Sequence, residues 1–543
     1  MFQYQISCKN PASQYLQIQV KIPVSFPGKV KLQLPIWRAG RYFPSNYAQF
    51  VRNFSVHFEG EEFIPFYKGN KSLWVIEVEK SGNYEVQYEF FAGTMDAGSS
   101  WVDDQQVYIN LVNCCMEISG TRPYSYDFKF KLPYPIQVCT LPEKREQTYF
   151  ANNFQEVADS TILASKEITH WKFKIGDYRF HCWLQGEIHF EKEDFLNSLK
   201  KVATSQLKDF GVFPEPEYHF IFQLLPYQHY HGVEHRRGTV ITYGPAEKLK
   251  HNKHLMELLG VSSHELYHAW NVCRIRPKEL LPYDFSTENY TTFGWILEGI
   301  TSYMGDLFLL KSGVISIKEY SKKLQNTIQR VSEDFGWRNS NILESSFDTW
   351  VDGYHVSAPD RKQNIYANGA LIALGIDLML LANGSSLTEV MQKAWVRYGK
   401  NNRGYHDFSF WNLISQELTN QEENDFYSTY IAGNQSIIPY LKDKLPTLGL
   451  HLEEKTDGDF LRNSLGLIVK DSKIKKIHPD SFAYQVLMLG DEIKSTNPDG
   501  SLEIYRLNGS VNHVKIENSK MEFFPTYHIQ VSKDTPLREA WLN

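Results

Sequence analysis

The sequence predicts a multidomain α+β chain. An N-terminal antiparallel β-sandwich covers residues 1–170. A larger middle domain covers 171–440, α+β to about 312 and then helical. A small β domain covers 446–543. Three observations predict this order. Apolar and polar residues alternate with period two up to about residue 170, helical periodicity sets in near residue 253, and short strands with turn signals return after about 446. A chain of 543 residues is also long enough for several cores.

In the first segment, "YLQIQVKIPV", "KVKLQLPIW" and "NYEVQYEFFAG" each turn every second residue to an apolar face. Gly and Pro separate them, as expected for short strands of a sandwich. In the middle, "EYHFIFQLLPY" and "GTVITYG" read as strands. "SIKEYSKKLQNTIQRVSEDF" is amphipathic at helical spacing, and Ser316 with Glu319 forms a capping-box signature at its start. Ser386 and Glu389 repeat that signature before "VMQKAWVRYG". The tail carries the turn signals "NPDG" and "RLNGS".

Hydrophobic residues at 42% and charged residues at 22% are ordinary for globular proteins. Aromatics reach 14%, which suits β-structure and aromatic-lined clefts. With 57 basic and 63 acidic residues the net charge is −6, so electrostatics make no case for nucleic acid or an anionic membrane surface. The longest apolar run, "ALIALGIDLMLLA", is short and interrupted by Asp377, so no membrane-spanning helix is expected. The opening residues lack the basic and apolar regions of a secretory signal, and the six cysteines are scattered without a C-x-x-C pair. Reduced thiols and a cytoplasmic location follow as expectations, or a periplasmic one if a leader precedes this sequence.

The chemistry starts from "SSHELYHAWN". His264 and His268 are i and i+4, so a helix projects both from one face. Glu265 lies beside them and is placed to take a proton from a zinc-bound water. Two histidines do not complete a catalytic zinc site, which takes three protein ligands and an open position. Glu298, in the apolar segment "FGWILEGITSYMGDL", is the candidate third ligand, because a carboxylate is costly to bury unless paired or bound to metal. Thr301 and Ser302, one turn on, are candidates to hold it.

"HELYHAWNVCRIRP" followed by "WILEGITSYMGDLFLL" resembles the glycyl aminopeptidase family of gluzincin metallopeptidases, and more distantly aminopeptidase N. "LPIWRAGRYFPSNYAQFVRNFSV", "SSFDTWVDGY" and "NIYANGALIALGIDLML" resemble further motifs of that family. The resemblance implies an N-terminal β domain, a thermolysin-like catalytic domain and a C-terminal PDZ domain. It implies one zinc ion on His264, His268 and Glu298, with Glu265 as general base. "HGVEHRRGT" matches the family's amine-anchoring element, which implies Glu234 as the clamp for a substrate's free amine, with Gly232 permitting close backbone approach. "IYANGAL" implies Tyr366 as donor to the oxyanion, although Ile365 and Asn368 depart from the family's pattern. In the tail, "NSLGLIV" resembles a carboxylate-binding PDZ loop. "HPDSFAYQVLMLGDEI" resembles a later PDZ stretch, with Asp480 and Phe482 departing from it. Both a ligand-binding and a packing role stay open for that module.

The expected function is therefore zinc-dependent hydrolysis of the N-terminal bond of peptides, with small first residues preferred. Two alternatives stand beside it. One is a zinc endopeptidase or amidase without amine-end restriction; the other is a non-catalytic peptide-binding scaffold.

Overall fold

The computed structural model describes the chain except residues 122–124, 146, 354, 356, 457, 498–500 and 517–520. Most of the expected "NPDG" turn and Tyr354 of "SSFDTWVDGY" therefore lie outside the described residues. The N-terminal domain is built on an eight-stranded sheet and two four-stranded sheets. Period-two alternation does the work: in Tyr15–Val24, residues Leu16, Ile18, Val20, Ile22 and Val24 are all buried. That strand pairs antiparallel with Gly82–Phe91, which adds Tyr84, Val86, Tyr88 and Phe90 to the same core.

One pairing departs from the expected antiparallel sandwich. Phe2–Ser7 runs parallel to Tyr126–Lys131, with Phe2 opposite Tyr126. Alternation specifies which face a residue takes, not the direction of the neighbouring strand, and a parallel partner can arrive by a long connection.

A five-stranded sheet opens the middle of the chain. Its order is Thr169–Ile175, Tyr178–Gln185, Glu217–Leu224, Gly238–Gly244 and, at the edge, His229–His235. The central three strands are parallel, and two of them, Glu217–Leu224 and Gly238–Gly244, are covered on both faces, which explains their near-continuous burial. Phe220 and Phe222 face the helices Lys192–Phe210 and Asn252–Tyr267. Ile221, Val233 and Val240 face Tyr108, Val138 and Leu163 of the β domain. The β domain thus lies against the outer face of this sheet.

Helices follow. Ile317–Ser332 carries the full capping box: Ser316 N–H donates to Glu319 at 2.8 Å and Glu319 N–H donates to Ser316 Oγ at 3.3 Å. Ser386 makes only half of one, because the Glu389 carboxylate accepts from Ser385 Oγ instead. Ala367–Ala382 is apolar and buried nearly all round, and its Asp377 accepts from Leu387 N–H at 2.7 Å and from the Tyr303 hydroxyl. No single described helix is long and apolar enough to cross a membrane.

The tail is divided between two cores. A five-stranded antiparallel sheet from Leu467–Lys470 to Val511–Lys515 has its own cluster, including Leu465, Leu467, Ile474 and Leu502. Leu450–Lys455 instead pairs with Thr526–Val531, and Leu450, Leu452, Tyr527 and Trp541 join the core of the helical half. Local pattern marks strands but cannot reveal this long-range return. Asp480 forms a two-point ion pair with Arg338 at 2.9 and 2.7 Å, so its departure from the PDZ pattern serves docking onto the helical half. Asn463, in the expected carboxylate loop, is bonded through its O and Nδ2 to Phe523 of the same chain.

Trp541 fixes the last helix, Pro536–Leu542: its indole N–H donates to the Tyr303 hydroxyl at 2.8 Å and its ring meets Tyr320 edge-on. Trp541→Ala is expected to lower unfolding free energy by roughly 3–5 kcal/mol in a urea titration. A substitution at exposed Leu507 is expected to change it by less than about 0.5 kcal/mol.

Candidate metal centre and cleft

The His-Glu-x-x-His stretch closes the helix Asn252–Tyr267, with His268 as its cap. The i, i+4 spacing brings the two imidazoles together, Nε2 to Nε2, at 3.0 Å. Glu298 comes from Trp295–Ile300, a π-helical turn that leads into Thr301–Lys311. Such turns re-aim side chains and recur at functional sites. Glu298 Oε2 lies 3.8 Å from His264 Nε2 and 3.6 Å from His268 Nε2. With the 3.0 Å between the imidazoles, the three separations bracket the edge of about 3.3 Å expected for a tetrahedral site with metal–ligand bonds of about 2.0–2.1 Å. Close crossing of the helices makes this possible: a Cβ on Gly305 would lie 3.0 Å from His264 Cα. The donor set and its spacing fit a divalent ion.

The partner that orients His268 lies in "HAWN". The Asn271 carbonyl can only accept, so the His268 Nδ1 at 3.0 Å carries the proton, which leaves the Nε2 lone pair for a metal. The Asn271 side chain donates to Thr301 Oγ1 and to the Ile296 carbonyl, each at 2.9 Å. One residue thus ties the histidine to the segment that carries Glu298. The Thr301 hydroxyl in turn donates to the Leu297 carbonyl at 2.7 Å. Among the described residues neither Thr301 nor Ser302 bonds the Glu298 carboxylate, which corrects the expectation that they hold it directly.

The edge strand His229–His235 supplies the next two residues. Period two puts Gly232 and Glu234 on one face. A Cβ on Gly232 would fall 2.2 Å from Glu265 Oε1, so glycine is what lets the Glu265 carboxylate lie against this strand. Ligand atoms of Glu234, Glu265 and His268 all fall within 4.8 Å of one another. The β domain closes over them. Gly40, at φ +72°, would bring a Cβ 2.2 Å from Glu234 Oε2, and Arg38 meets His231 Nε2 at 3.2 Å. Nothing within "WRAGRY" itself marks Arg38 or Gly40 for a part in the site, because only the packing of two domains brings that loop here.

The site is dominated by negative charge. Glu234, Glu265 and Glu298 are 7%, 5% and 3% exposed, and Glu234 Oε1 and Glu265 Oε2 have no hydrogen-bond partner among the described residues. Burial pushes the Glu265 carboxyl up to about 8, with Glu234 and Glu298 adding to the shift. Burial, seconded by Glu298, also raises Glu234. Burial opposes charge on Glu298 as well, but the two imidazoles outweigh it and hold it down to about 2. His268 is pushed up to about 10 by the three carboxylates, against burial, whereas burial lowers His264.

Tyr366 begins the helix Ala367–Ala382, half-buried. That helix crosses the Glu298 segment at backbone contact: a Cβ on Gly299 would lie 2.5 Å from Gly369 Cα and 2.9 Å from the Ile365 carbonyl. The residue after Ile365 is therefore brought beside the Glu298 turn. Of the two departures, Ile365 is core packing against Gly294, and Asn368 donates to Gln363 at 2.9 Å.

Asn271→Ala is expected to weaken metal retention roughly ten- to hundredfold in competition with a chromogenic chelator, whereas Ser302→Ala leaves it unchanged.

Two family models match the chain: the Peptidase M61 N-terminal domain over residues 3–166 and M61 glycyl aminopeptidase over 257–372, together more than half of its length. No curated protein sequence matches it. In fold it is similar to an aminopeptidase N family protein from Idiomarina loihiensis, 23% identical over 100% of both chains with a TM-score of 0.89. An M1 zinc metallopeptidase from Deinococcus radiodurans is 12% identical over 80% of this chain and 94% of that one, with a TM-score of 0.48. Yeast LTA4 hydrolase is 12% identical over 80% of this chain and 67% of that one, also with a TM-score of 0.48. The chain belongs to the M61 glycyl aminopeptidase family of metallopeptidases.

Proposed function

We propose that the chain is a zinc-dependent aminopeptidase that holds one zinc ion on His264, His268 and Glu298 and cleaves the first bond of peptides with a free amino terminus. Glycine and alanine are its expected first residues, by family resemblance. The observation that carries the amine-end restriction is Glu234: a buried carboxylate with an unpartnered oxygen, within 4.8 Å of Glu265 and His268. A desolvated ammonium needs such a fixed partner.

When bound, zinc supplies Lewis acidity toward water and the scissile carbonyl. The chain's own residues do the rest. The outer edge of His229–His235 offers backbone groups to an extended peptide. Glu234 anchors the ammonium, which sets the first peptide bond beside Glu265. Glu265 accepts the proton of the attacking water and passes it to the leaving amine. Tyr366 donates its phenolic proton in a hydrogen bond to the oxyanion.

Glu265→Gln is expected to lower kcat on glycyl and alanyl p-nitroanilides by at least about a hundredfold, with metal content unchanged. Chelator is expected to abolish the wild-type rate. Full activity in chelator would overturn the metal mechanism. Blocking the amine by N-acetylation is expected to remove turnover; equal rates on blocked and free peptides would favour an endopeptidase or amidase.

A further inference from the structure

Beside Glu234, at the seam between the β domain and the catalytic sheet, lies a cavity of about 340 Å³. Glu234, His235, Arg276 and Tyr283 line it from the catalytic side, and Arg38 and Ala158 from the β domain. The space equals roughly ten water molecules, far more than the side chain of glycine or alanine fills.

Its walls are polar and incompletely bonded. Glu234, His235 and Arg276 are each more than nine-tenths buried. Glu234 Oε1, His235 Nε2 and Arg276 Nε have no hydrogen-bond partner among the described residues. Arg276 directs its other nitrogens to the Cys273 and Leu280 carbonyls, at 2.6 and 3.4 Å, and lies over the Tyr283 ring. Arg38, also buried, bonds the Ala39 carbonyl and His231. Among the described residues neither arginine forms an ion pair with a carboxylate. His235 Nδ1 lies 3.5 Å from Asp159, which leaves Nε2 for another partner. Buried polar atoms are kept where something bonds them.

We infer that this cavity receives the side chain of the substrate's first residue and favours one ending in a carboxamide or carboxylate. This rests on the aminopeptidase reading, since an amine held by Glu234 has its Cα at the cavity wall. Arg276 Nε–H donates to the side-chain oxygen. His235 Nε2 bonds the side chain's other terminal polar atom. An aliphatic side chain of equal length leaves all of these groups unbonded. Glycine and alanine stay substrates because they leave the cavity to solvent.

The test is kcat/KM on X-Ala dipeptides with X as Gly, Ala, Leu, Met, Gln and Glu. Gln and Glu should exceed Leu and Met at least tenfold. Ala158→Phe, which fills the cavity from the β domain, should cost Gln and Glu at least tenfold and leave Gly and Ala within twofold. Inhibition of the wild-type protein by free glutamine against free norleucine reads the same preference without a variant, with glutamine at least fivefold tighter. Leu or Met equal to or better than Gln and Glu, or norleucine as tight as glutamine, overturns the selectivity. A folded Ala158→Phe protein that shifts Gly and Gln alike overturns the location. Failure on the whole panel, Gly and Ala included, overturns the aminopeptidase reading and this inference with it.

Discussion

Three carboxylates that share one buried space set the terms for the rest of the site. Glu234, Glu265 and Glu298 converge around His268 in a region with almost no solvent contact. At such separations, away from water, like charges repel strongly. The cluster is held together by positive charge or by protons. The upward shifts of His268 and Glu265 express the second solution. In the proposed mechanism a divalent ion and a substrate ammonium express the first, and together they carry the three positive charges that the three carboxylates require.

That constraint explains the architecture around it. Carboxylates that repel one another must be fixed by packing. Gly232 lets Glu265 lie against the edge strand, and Gly40 brings the β domain onto Glu234. Asn271 joins the end of the histidine helix to the Glu298 turn. The β domain is therefore part of the cleft: Arg38 and Gly40 cross the seam to reach residues of the catalytic sheet.

Much of the centre was legible in the sequence because its signals are local. His264, Glu265 and His268 are read from one helical turn, and Glu298 from a charge in an apolar segment. Glu234 and Tyr366 needed the family pattern, since nothing in their own neighbourhood separates them from ordinary loop and helix residues. What stayed hidden is non-local. The role of Asn271 depends on contact with a turn thirty residues on in the sequence. The parallel pairing of Phe2–Ser7 and the return of Thr526–Val531 to Leu450–Lys455 depend on strand neighbours that alternation does not name. The cavity beside Glu234 exists only where two domains meet.

Within the cluster two sets of residues can hold an ion, His264–His268–Glu298 and Glu234–Glu265–His268. In the proposed mechanism the metal takes the first set, and Glu234 and Glu265 serve the amine and the proton. Crystals loaded with zinc and measured across the zinc absorption edge decide between them. The account predicts one anomalous peak ligated by His264 Nε2, His268 Nε2 and Glu298. A peak between Glu234, Glu265 and His268, or none at either position, would contradict it.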